Sequence, residues 1–346
     1  MTATLTERER QVLEAVIETY VETAEPAGSR TISKRFALAL SAATIRNIMS
    51  DLEEKGLLYH PHTSAGRIPT DSAYRLYVDA LMGRPRISRS DAQHIRAELS
   101  TEGNALDRIL GRAAQVLGVL SNELGVAASP SLDDAVLERL ELIQVSAERV
   151  LLVMTLASGV VRTIFVEVSS HMAPEAVRQV AVVLNERLAG LSLRAIRASL
   201  ADRLRDAGSD AGSSELLNIF VQEAEGLFDG SPAAAGPGGV LLGSTQPLTG
   251  QPEFATREGL QGLMAITERR DLLRGALAAR QEQGLTITIG SEHGDPKLAP
   301  FTLVTSTYRV GPLAGVIGVM GPTRMPYQKI AALVEHTSRL VGELYQ

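Results

Sequence analysis

The chain has 346 residues, 45% hydrophobic and 21% charged, with a formal net charge of −6 at pH 7. This composition excludes a disordered or fibrous protein, and the length predicts two or three domains rather than a single core. The absence of cysteine excludes disulfides and thiolate metal sites and fits a reducing cytoplasm. No apolar run reaches the roughly eighteen residues of a membrane span, and residues 1–10 are too polar and acidic for a signal peptide. We therefore expect a cytoplasmic protein.

Two helices are predicted before residue 40. The sequence Thr6-Glu7-Arg8-Glu9 is a capping box, in which a hydroxyl and a carboxylate each accept a bond from the other residue's backbone N–H. The helix that it opens is expected to end near Thr23, because Pro26-Ala27-Gly28 interrupts the pattern. Ser29 is then the expected N-cap of a short second helix over residues 30–39.

A third, amphipathic helix is predicted to begin after Ser41 and to end at Gly56. Its apolar positions follow the i, i+3, i+4, i+7 spacing, and they are Ile45, Ile48, Met49 and Leu52. Its opposite face holds small polar residues with one guanidinium, which is typical of a helix that enters a DNA groove. Three short helices of this kind predict a helix-turn-helix with one preceding support helix.

The acids of the third helix divide it into two halves with different expected roles. Asp51, Glu53 and Glu54 lie at its C-terminal end, where DNA phosphates would repel them, so the N-terminal half is expected to enter the groove. The candidates for reading bases are therefore Ala42, Ala43, Thr44, Arg46, Asn47 and Ser50. Among them, Asn47 suits adenine and Arg46 suits guanine. The residues expected to hold phosphates and set the register are Ser29, Arg30 and Lys34.

A wing is predicted after the third helix. Leu57–Tyr59 continues as a strand, and residues 60–67 make the turn and return of a hairpin that places Arg67 in a minor groove or on the DNA backbone. The other wing residues expected at DNA are His62, Thr63 and Ser64. The pair His60 and His62 could suggest a metal site, but no third ligand is near, so hydrogen bonding to phosphate or to the wing backbone is favoured.

Basic residues concentrate in the same part of the chain. Between Pro26 and Ser90, ten Arg or Lys residues stand against five acids, so this segment carries +5 within an acidic chain. A local positive charge favours nucleic acid, although ordinary surface charge would explain the same excess. Ile68-Pro69-Thr70 leads into a helix that closes the domain, and Gly83–Arg86 is a basic linker.

The run ATIRNIMSDLEEKGLL, followed by HTSAGRIPTDSAYRLYVDAL, resembles the heat-shock repressor family HrcA. Late in the chain, TIGSEHGD, VTSTYRVG and GVIGVMGPTRMPYQKI are similar to that family's C-terminal segments. The resemblance implies a winged-helix domain, a GAF-like domain and a dimerising domain inserted into the latter. It also implies repression of chaperone operons through an inverted-repeat operator that a homodimer binds, with the GroE chaperonin maintaining the active repressor.

The rest of the chain fits this layout. A helical pair is predicted over residues 90–124, three β-rich runs over 137–169 predict an antiparallel meander, and a block of helices follows from Pro174 to Phe228. The large apolar faces of those helices make a dimer surface plausible, although the same residues could pack on the parent domain. The residues of such an apolar face include Val177, Val180, Ala181 and Leu184. Strands near 240–243, 285–289, 301–309 and 314–320 and a last helix from about Pro326 complete an α+β pattern.

We therefore predict an α+β multidomain protein with an N-terminal winged helix-turn-helix, residues 1–87. Residues 88–169 and 229–346 form a GAF-like domain with connecting helices, and residues 170–228 form an inserted helical dimerisation domain.

Nothing in the sequence predicts catalysis, a cofactor or a metal. The glycine clusters lack the features of phosphate-binding loops, and the six histidines lie outside catalytic motifs. Ser291–Asp295, which contains His293, is interpreted as a polar hairpin loop. Two alternatives stay open beside the repressor. One is a winged-helix regulator gated by a small effector in the GAF-like domain, and the other is a hydrolase with an appended helix-turn-helix.

Overall fold

The computed structural model describes residues 5–61, 66–100, 106–168, 172–207, 211–229, 239–280, 283–311 and 313–344, with the side chains of all but residues 211, 212 and 271. The chain is a mixed α/β protein that divides into two compact units. The first unit contains the chain up to Ala128, Val240–Tyr308 and Val316–Leu344. The second contains Ser129–Gly239 and Arg309–Gly315.

The first helix, α1 (Glu7–Thr23), begins at the predicted capping box. The Thr6 N–H donates to Glu9 Oε2 at 2.8 Å, and the Glu9 N–H donates back to Thr6 Oγ1 at 3.3 Å. The inner face of this helix is buried at Leu13, Val16 and Ile17. Its end is set by Ala24, which takes the left-handed conformation at φ 56°.

The second helix, α2 (Ser29–Arg35), is shorter than predicted at its C-terminal end and begins one residue earlier. Gly28 is its N-cap, so the expectation that Ser29 caps the helix is wrong. The helix stops because Phe36 is extended, and Ala39 at φ 51° then turns the chain in a left-handed sense that a right-handed helix cannot follow. The third helix, α3 (Ala42–Glu54), has the predicted cap, since Ser41 Oγ accepts the Thr44 N–H at 3.1 Å.

A two-stranded antiparallel ribbon follows α3. Its strands are β1 (Leu58–Tyr59) and β2 (Ile68–Pro69), with Leu58 opposite Pro69 and Tyr59 opposite Ile68. The chain then enters α4 (Asp71–Leu76), which Thr70 caps and which continues as one π-helical turn over Tyr77–Leu81. Three helices, a ribbon and a closing helix are therefore present in the predicted order.

A five-stranded antiparallel sheet forms the centre of the first unit, with strand order β7-β3-β10-β9-β8. Its strands are β3 (Leu124–Ala128), β7 (Val240–Leu242), β8 (Thr286–Ile289), β9 (Phe301–Val310) and β10 (Leu313–Pro322). Strand β3 pairs with both neighbours, since Val126 lies opposite Gly318 on one side and Leu242 on the other. The sequence did not predict β3, because its five residues follow a long helical pattern and only Leu and Val among them favour strands.

Helices cover this sheet. The predicted pair is α5 (Arg89–Ser100) and α6 (Leu106–Ser121), and α6 packs on β3 and on the last helix, α14 (Tyr327–Glu343). A separate apolar cluster joins the strands to α12 (Arg257–Glu268) and α13 (Arg270–Ala278). Short helical turns, α11 (Gln246–Thr249) and the 3₁₀ turn Pro252–Phe254, connect β7 to α12.

The second unit contains the predicted meander and a block of helices. The meander pairs β4 (Leu137–Ser146), β5 (Arg149–Leu156) and β6 (Val161–Glu167) in that order. The helices are α7 (Pro174–Leu188), α8 (Leu193–Leu204), α9 (Ala211–Gln222) and α10 (Ala224–Leu227). Sheet and helices share one apolar core. Asn185 of α7 covers the free edge of β4, because its amide donates to the Leu140 carbonyl at 2.6 Å and accepts the Leu140 N–H at 2.8 Å.

This second unit differs from the predicted insertion. It begins at Ser129 rather than at residue 170, because the meander supplies the surface on which the helices pack. The helix face predicted as a dimer surface lies inside that core, where Val177, Val180 and Leu184 are buried and Ala181 is half-buried. Sequence periodicity identified an apolar face correctly, but it carried no information about which surface covers it.

Candidate nucleic-acid interface

Helix α3 turns two chemically different faces in opposite directions. Ile45, Ile48, Met49 and Leu52 are buried, which fixes the rotation of the helix about its axis. The expected base-reading residues lie on the other side. Ala43, Arg46 and Asn47 are exposed, and Thr44 and Ser50 are half-buried. The small side chains leave room for a nucleic-acid surface to approach the helix backbone.

The residues expected at phosphates lie on α2, beside this face. Arg30 and Lys34 are exposed one helical turn apart, at a spacing that puts them on the same side of the helix. Ser29 is only 8% exposed, so its side chain contributes less to the surface than expected. It lines a cleft of about 660 Å³ together with Arg30, Arg46 and Ser50.

Arg67 stands at the base of the ribbon and not at its tip. Its backbone forms an antiparallel bridge with Ala27, with both hydrogen bonds at 2.9 Å. Its side chain is only 12% exposed, and Nη2 lies 2.7 Å from Glu53 Oε2. The second guanidinium nitrogen contacts His60, whose Nδ1 is 3.2 Å from Glu53 Oε1. Arg67, which the sequence predicts in a minor groove or on the DNA backbone, instead ties the ribbon to the C-terminal end of α3 through its side chain.

Gly66 makes that arrangement sterically feasible. A Cβ at this position would lie 2.3 Å from the Ala27 carbonyl oxygen, which no side chain tolerates. The tip residues His62, Thr63 and Ser64 lie outside the described residues. His60 is engaged by Glu53 and Arg67, so its expected hydrogen bonding is to side chains of the domain itself.

The positive charge of the segment is not all available to a partner. Four of the ten basic residues between 26 and 90 are ion-paired: Arg35 with Glu22, Lys55 with Glu9, Arg67 with Glu53, and Arg75 with Glu292 and Asp79. Arg30, Lys34 and Arg46 have no acidic partner in the described part of the chain. These three surround the outer face of α2 and α3, and the other three basic residues without an acidic partner in the described part of the chain, Arg84, Arg86 and Arg89, lie in the linker and at the start of α5.

Helix α4 fixes this assembly to the five-stranded sheet through contacts that the sequence did not predict. Arg75 donates through Nε and Nη2 to the Glu292 carboxylate at 2.7 and 2.6 Å, and Asp71 accepts the Ser291 N–H at 3.0 Å. The bonds to Glu292 raise the pKa of Arg75. Burial of Glu292 opposes its ionisation, but the bonds from Arg75 and from the Ile289 N–H lower its pKa overall. No local signal reveals these partners, because more than two hundred residues separate them.

A second anchor involves Arg324, which follows β10. Its guanidinium donates to the Val21 carbonyl of α1 at 2.8 Å and to Glu253 at 2.5 and 3.0 Å. The rings of Tyr74 and Tyr327 pack at 5.6 Å between centroids. The orientation of α3 is therefore set by charged and aromatic contacts as well as by its own apolar core.

Other classes of site find little support in the described residues. Among them, no group of three or more His, Asp or Glu side chains is placed to hold a metal ion. Within the same part of the chain, no helix combines the length and the apolar character that crossing a bilayer requires.

Comparison with known proteins gives one consistent result. The profile of the HrcA protein C terminal domain matches residues 107–331. The heat-inducible transcription repressor HrcA of Chlorobium phaeobacteroides (strain BS1) is 38% identical over 343 residues, covering 96% of each chain. The protein of the same name from Geobacter sulfurreducens is 34% identical, covering 99% of this chain and 98% of that one. A crystal structure described as that of a hypothetical protein shares the fold, with a TM-score of 0.62, 21% identity and 99% of each chain covered.

The matched profile covers well over half of the chain, and the relatives match nearly its full length, including the helices and ribbon that the profile leaves out. The chain therefore belongs to the HrcA family of heat-inducible transcription repressors.

Proposed function

We propose that this chain represses chaperone operons by binding an inverted-repeat operator as a homodimer, with residues 1–87 acting as a winged helix-turn-helix. The observation that carries the proposal is the outer face of the N-terminal half of α3, which is uncharged apart from Arg46 and lies beside Arg30 and Lys34, two cations without an acidic partner in the described part of the chain. A DNA-binding repressor of this kind acts in the cytoplasm, where the chromosome lies.

In this proposal the N-terminal half of α3 enters the major groove. Asn47 reads adenine and Arg46 reads guanine, while Ala43, Thr44 and Ser50 line the closest approach to base edges. Asp51 and Glu54 are exposed at the other end of the helix and stay out of the groove. Glu53 does not have to stay away from the DNA phosphates, because Arg67 compensates its charge.

The phosphate contacts come from the exposed residues of α2, Arg30 and Lys34, with Ser29 at the edge of the cleft. The tip residues His62, Thr63 and Ser64 remain proposed contacts to the backbone or minor groove. We assign Arg67 an indirect part, in which it holds the ribbon against α3 so that the tip and the reading helix meet DNA together.

The proposed dimer surface is the outer face of the three-stranded sheet in the second unit. Four large apolar side chains project from it, with exposures of 48% for Ile143, 55% for Val145, 58% for Val161 and 59% for Phe165. In the register of the sheet, Ile143 lies opposite Leu151, and Leu151 lies opposite Phe165. Ile143, Leu151 and Phe165 therefore form one row across the three strands. A continuous apolar row on a sheet is the kind of surface that a second copy covers.

The remaining layout follows the family resemblance. We propose that the five-stranded sheet with its helices is a GAF-like domain, that residues 129–239 form the insertion, and that the GroE chaperonin maintains the active repressor. A monomer with an uncovered apolar sheet is a suitable chaperonin substrate, because chaperonins capture exposed apolar surface.

Fluorescence anisotropy with a labelled inverted repeat from upstream of a chaperone operon tests the operator proposal. Specific binding, which unlabelled operator displaces and random DNA does not, is the expected result. If the chain binds only after incubation with chaperonin and nucleotide, the chaperonin proposal is also supported. Equal affinity for operator and random DNA under both conditions would refute the operator proposal.

The dimer surface has its own test. Phe165→Glu places a charge in the centre of the apolar row and is expected to give a folded monomer in sedimentation velocity. Val182→Glu is the matched control, because Val182 is 56% exposed on α7 but lies outside the sheet. A dimer that survives Phe165→Glu and dissociates with Val182→Glu would place the interface on the helices instead.

A further inference from the structure

A polar cleft of about 440 Å³ opens between α13, β8 and the 3₁₀ turn Gly290–His293 that follows β8. All of these elements belong to the first unit. The volume lies within the range of small-molecule sites in proteins. Operator binding makes no use of this cleft, so its side chains need a separate explanation.

Arg280 supplies a half-buried guanidinium to the cleft, and no carboxylate of the described residues balances it. Its Nη2 and Nε donate to Thr288 Oγ1 at 2.7 and 3.3 Å, and Nη1 donates to the Ala276 carbonyl. A guanidinium has five N–H donors, so two remain for a ligand. No acidic side chain in the described residues lies within ion-pair distance of Arg280, and burial lowers its pKa. A partly buried and uncompensated cation is an energetically costly feature that a bound anion would relieve.

His293 faces the same cleft with both ring nitrogens buried. Neither nitrogen makes a hydrogen bond of normal geometry within the described part of the chain. Burial and the nearby Arg280 charge lower the pKa of His293, against smaller opposing effects from the Phe301 backbone, Glu292 and Asp295. The imidazole is therefore neutral at pH 7 and keeps one donor and one acceptor without a partner, which together match a hydroxyl group that meets them when the ring turns toward the cleft.

The two carboxylates at the cleft are already engaged in the protein. Glu292 binds Arg75 and the Ile289 N–H, and Asp295 Oδ1 accepts the Lys297 N–H at 2.9 Å. Asp295 keeps further acceptor capacity, which suits a second hydroxyl on a ligand and opposes a bare, highly charged anion. The donor and acceptor pattern thus specifies one oxyanion flanked by hydroxyl groups.

We propose that this cleft binds a small hydroxylated anion, a sugar phosphate or a hydroxy acid, whose oxyanion is held by Arg280 and whose hydroxyl groups meet His293 and Asp295. This site is separate from operator recognition, and it allows a small molecule to bind and regulate the protein.

The position of the cleft connects ligand binding to the helices that are proposed to bind DNA. The turn Gly290–His293 lines the cleft on one side and holds α4 on the other, through Ser291 to Asp71 and Glu292 to Arg75. A ligand that binds His293 therefore contacts the same four-residue turn that anchors α4. Ligand binding changes operator affinity if the turn contacts α4 differently in the ligand-bound and ligand-free states.

Isothermal titration calorimetry on the full-length chain, at constant ionic strength, tests the site with ribose 5-phosphate and gluconate as probes. Gly275 lines the cleft and a Cβ there meets open space, so Gly275→Leu blocks the cleft without a clash. Gly262→Leu is the matched control, because Gly262 is also helical and open but lies outside the cleft. Arg280→Gln removes the oxyanion anchor.

The expected result is saturable binding of ribose 5-phosphate or gluconate by the wild type and by Gly262→Leu. Gly275→Leu and Arg280→Gln are expected to weaken it about tenfold or more. Tighter binding of ribose 5-phosphate identifies a phosphate ligand, and tighter binding of gluconate identifies a carboxylate ligand. No saturable binding of either probe up to about 10 mM, or equal binding by all four proteins, overturns the proposal.

The link to α4 is measured by hydrogen exchange of residues 71–81 with and without the bound probe. A change in protection in the wild type that is absent in Gly275→Leu supports the link, and unchanged protection overturns it. Operator binding by ligand-free Gly275→Leu stays at the wild-type level, so failure of this site and failure of the repressor proposal give different results.

Discussion

The division between free and paired cations predicts how operator binding depends on salt. Each phosphate that a cation neutralises contributes about 0.9 to the slope of log affinity against log salt. In the proposed complex the unpaired cations of α2 and α3, Arg30, Lys34 and Arg46, make the phosphate contacts, so a dimer neutralises about six phosphates and the slope is expected near −5. Counting the whole excess of +5 in each protomer would instead predict about −9.

Lys34→Gln tests this reasoning, because it removes one free cation from each protomer. The slope should become shallower by about 2, and affinity should fall similarly on operator and random DNA. Arg35→Gln is the matched control on the same helix, since Arg35 already pairs with Glu22 and should leave the slope unchanged. The assay is fluorescence anisotropy of the full-length chain over a series of KCl concentrations. An unchanged slope with Lys34→Gln, or equal changes with both variants, would refute the assignment of Lys34 to phosphate.

Three further substitutions separate base reading, ribbon anchoring and burial of charge. Asn47→Ala is expected to lower operator affinity by about 1–3 kcal/mol and to relax preference at one position in each half-site, as competition binding measures; equal losses on random DNA would show that Asn47 does not read bases. Arg67→Ala is expected to lower the free energy of unfolding by about 1–3 kcal/mol in urea, because Glu53 and His60 lose their partner; unchanged stability with weaker binding would make Arg67 a direct DNA contact instead. Burial raises the pKa of Glu123 from 4.5 to about 8, so the folded chain holds a proton that the unfolded chain has released between those two pH values. Stability should therefore fall with rising pH across that window, by at most about 1.4 kcal/mol per pH unit, and Glu123→Gln should flatten the curve measured by urea unfolding.

The features that the sequence predicted correctly depend on residues close together in the chain. The Thr6–Glu9 capping box and the Ser41 cap each join residues three apart, and the buried face of α3 repeats within two turns. Gly56, predicted to end α3, takes the left-handed conformation at φ 71°. Such signals are complete within a short window, so no knowledge of the tertiary structure is needed to interpret them.

The features that the sequence could not provide depend on distant partners. Arg75 contributes to the apparent positive charge of the DNA-binding segment, but Glu292 neutralises it from the far end of the chain. The apolar face of α7 was identified, yet only the fold shows that the three-stranded sheet covers it and leaves Phe165 exposed instead. Strand β3 lacks a pattern of its own, because its place in the centre of the sheet is decided by pairing with β7 and β10.

If α3 reads an operator as proposed, the paired cations connect that recognition to the integrity of the sheet domain. Recognition of an inverted repeat requires two copies of α3 to stand about one helical turn of DNA, roughly 34 Å, apart. That spacing depends on the direction in which each α3 is held, and Arg75 and Arg324 fix that direction through Glu292 and the Val21 carbonyl. A small rotation at either anchor would displace both reading helices without changing any residue that touches DNA. In the proposed repressor the paired cations therefore serve specificity without touching DNA, because they hold α3 at the angle that an inverted repeat requires.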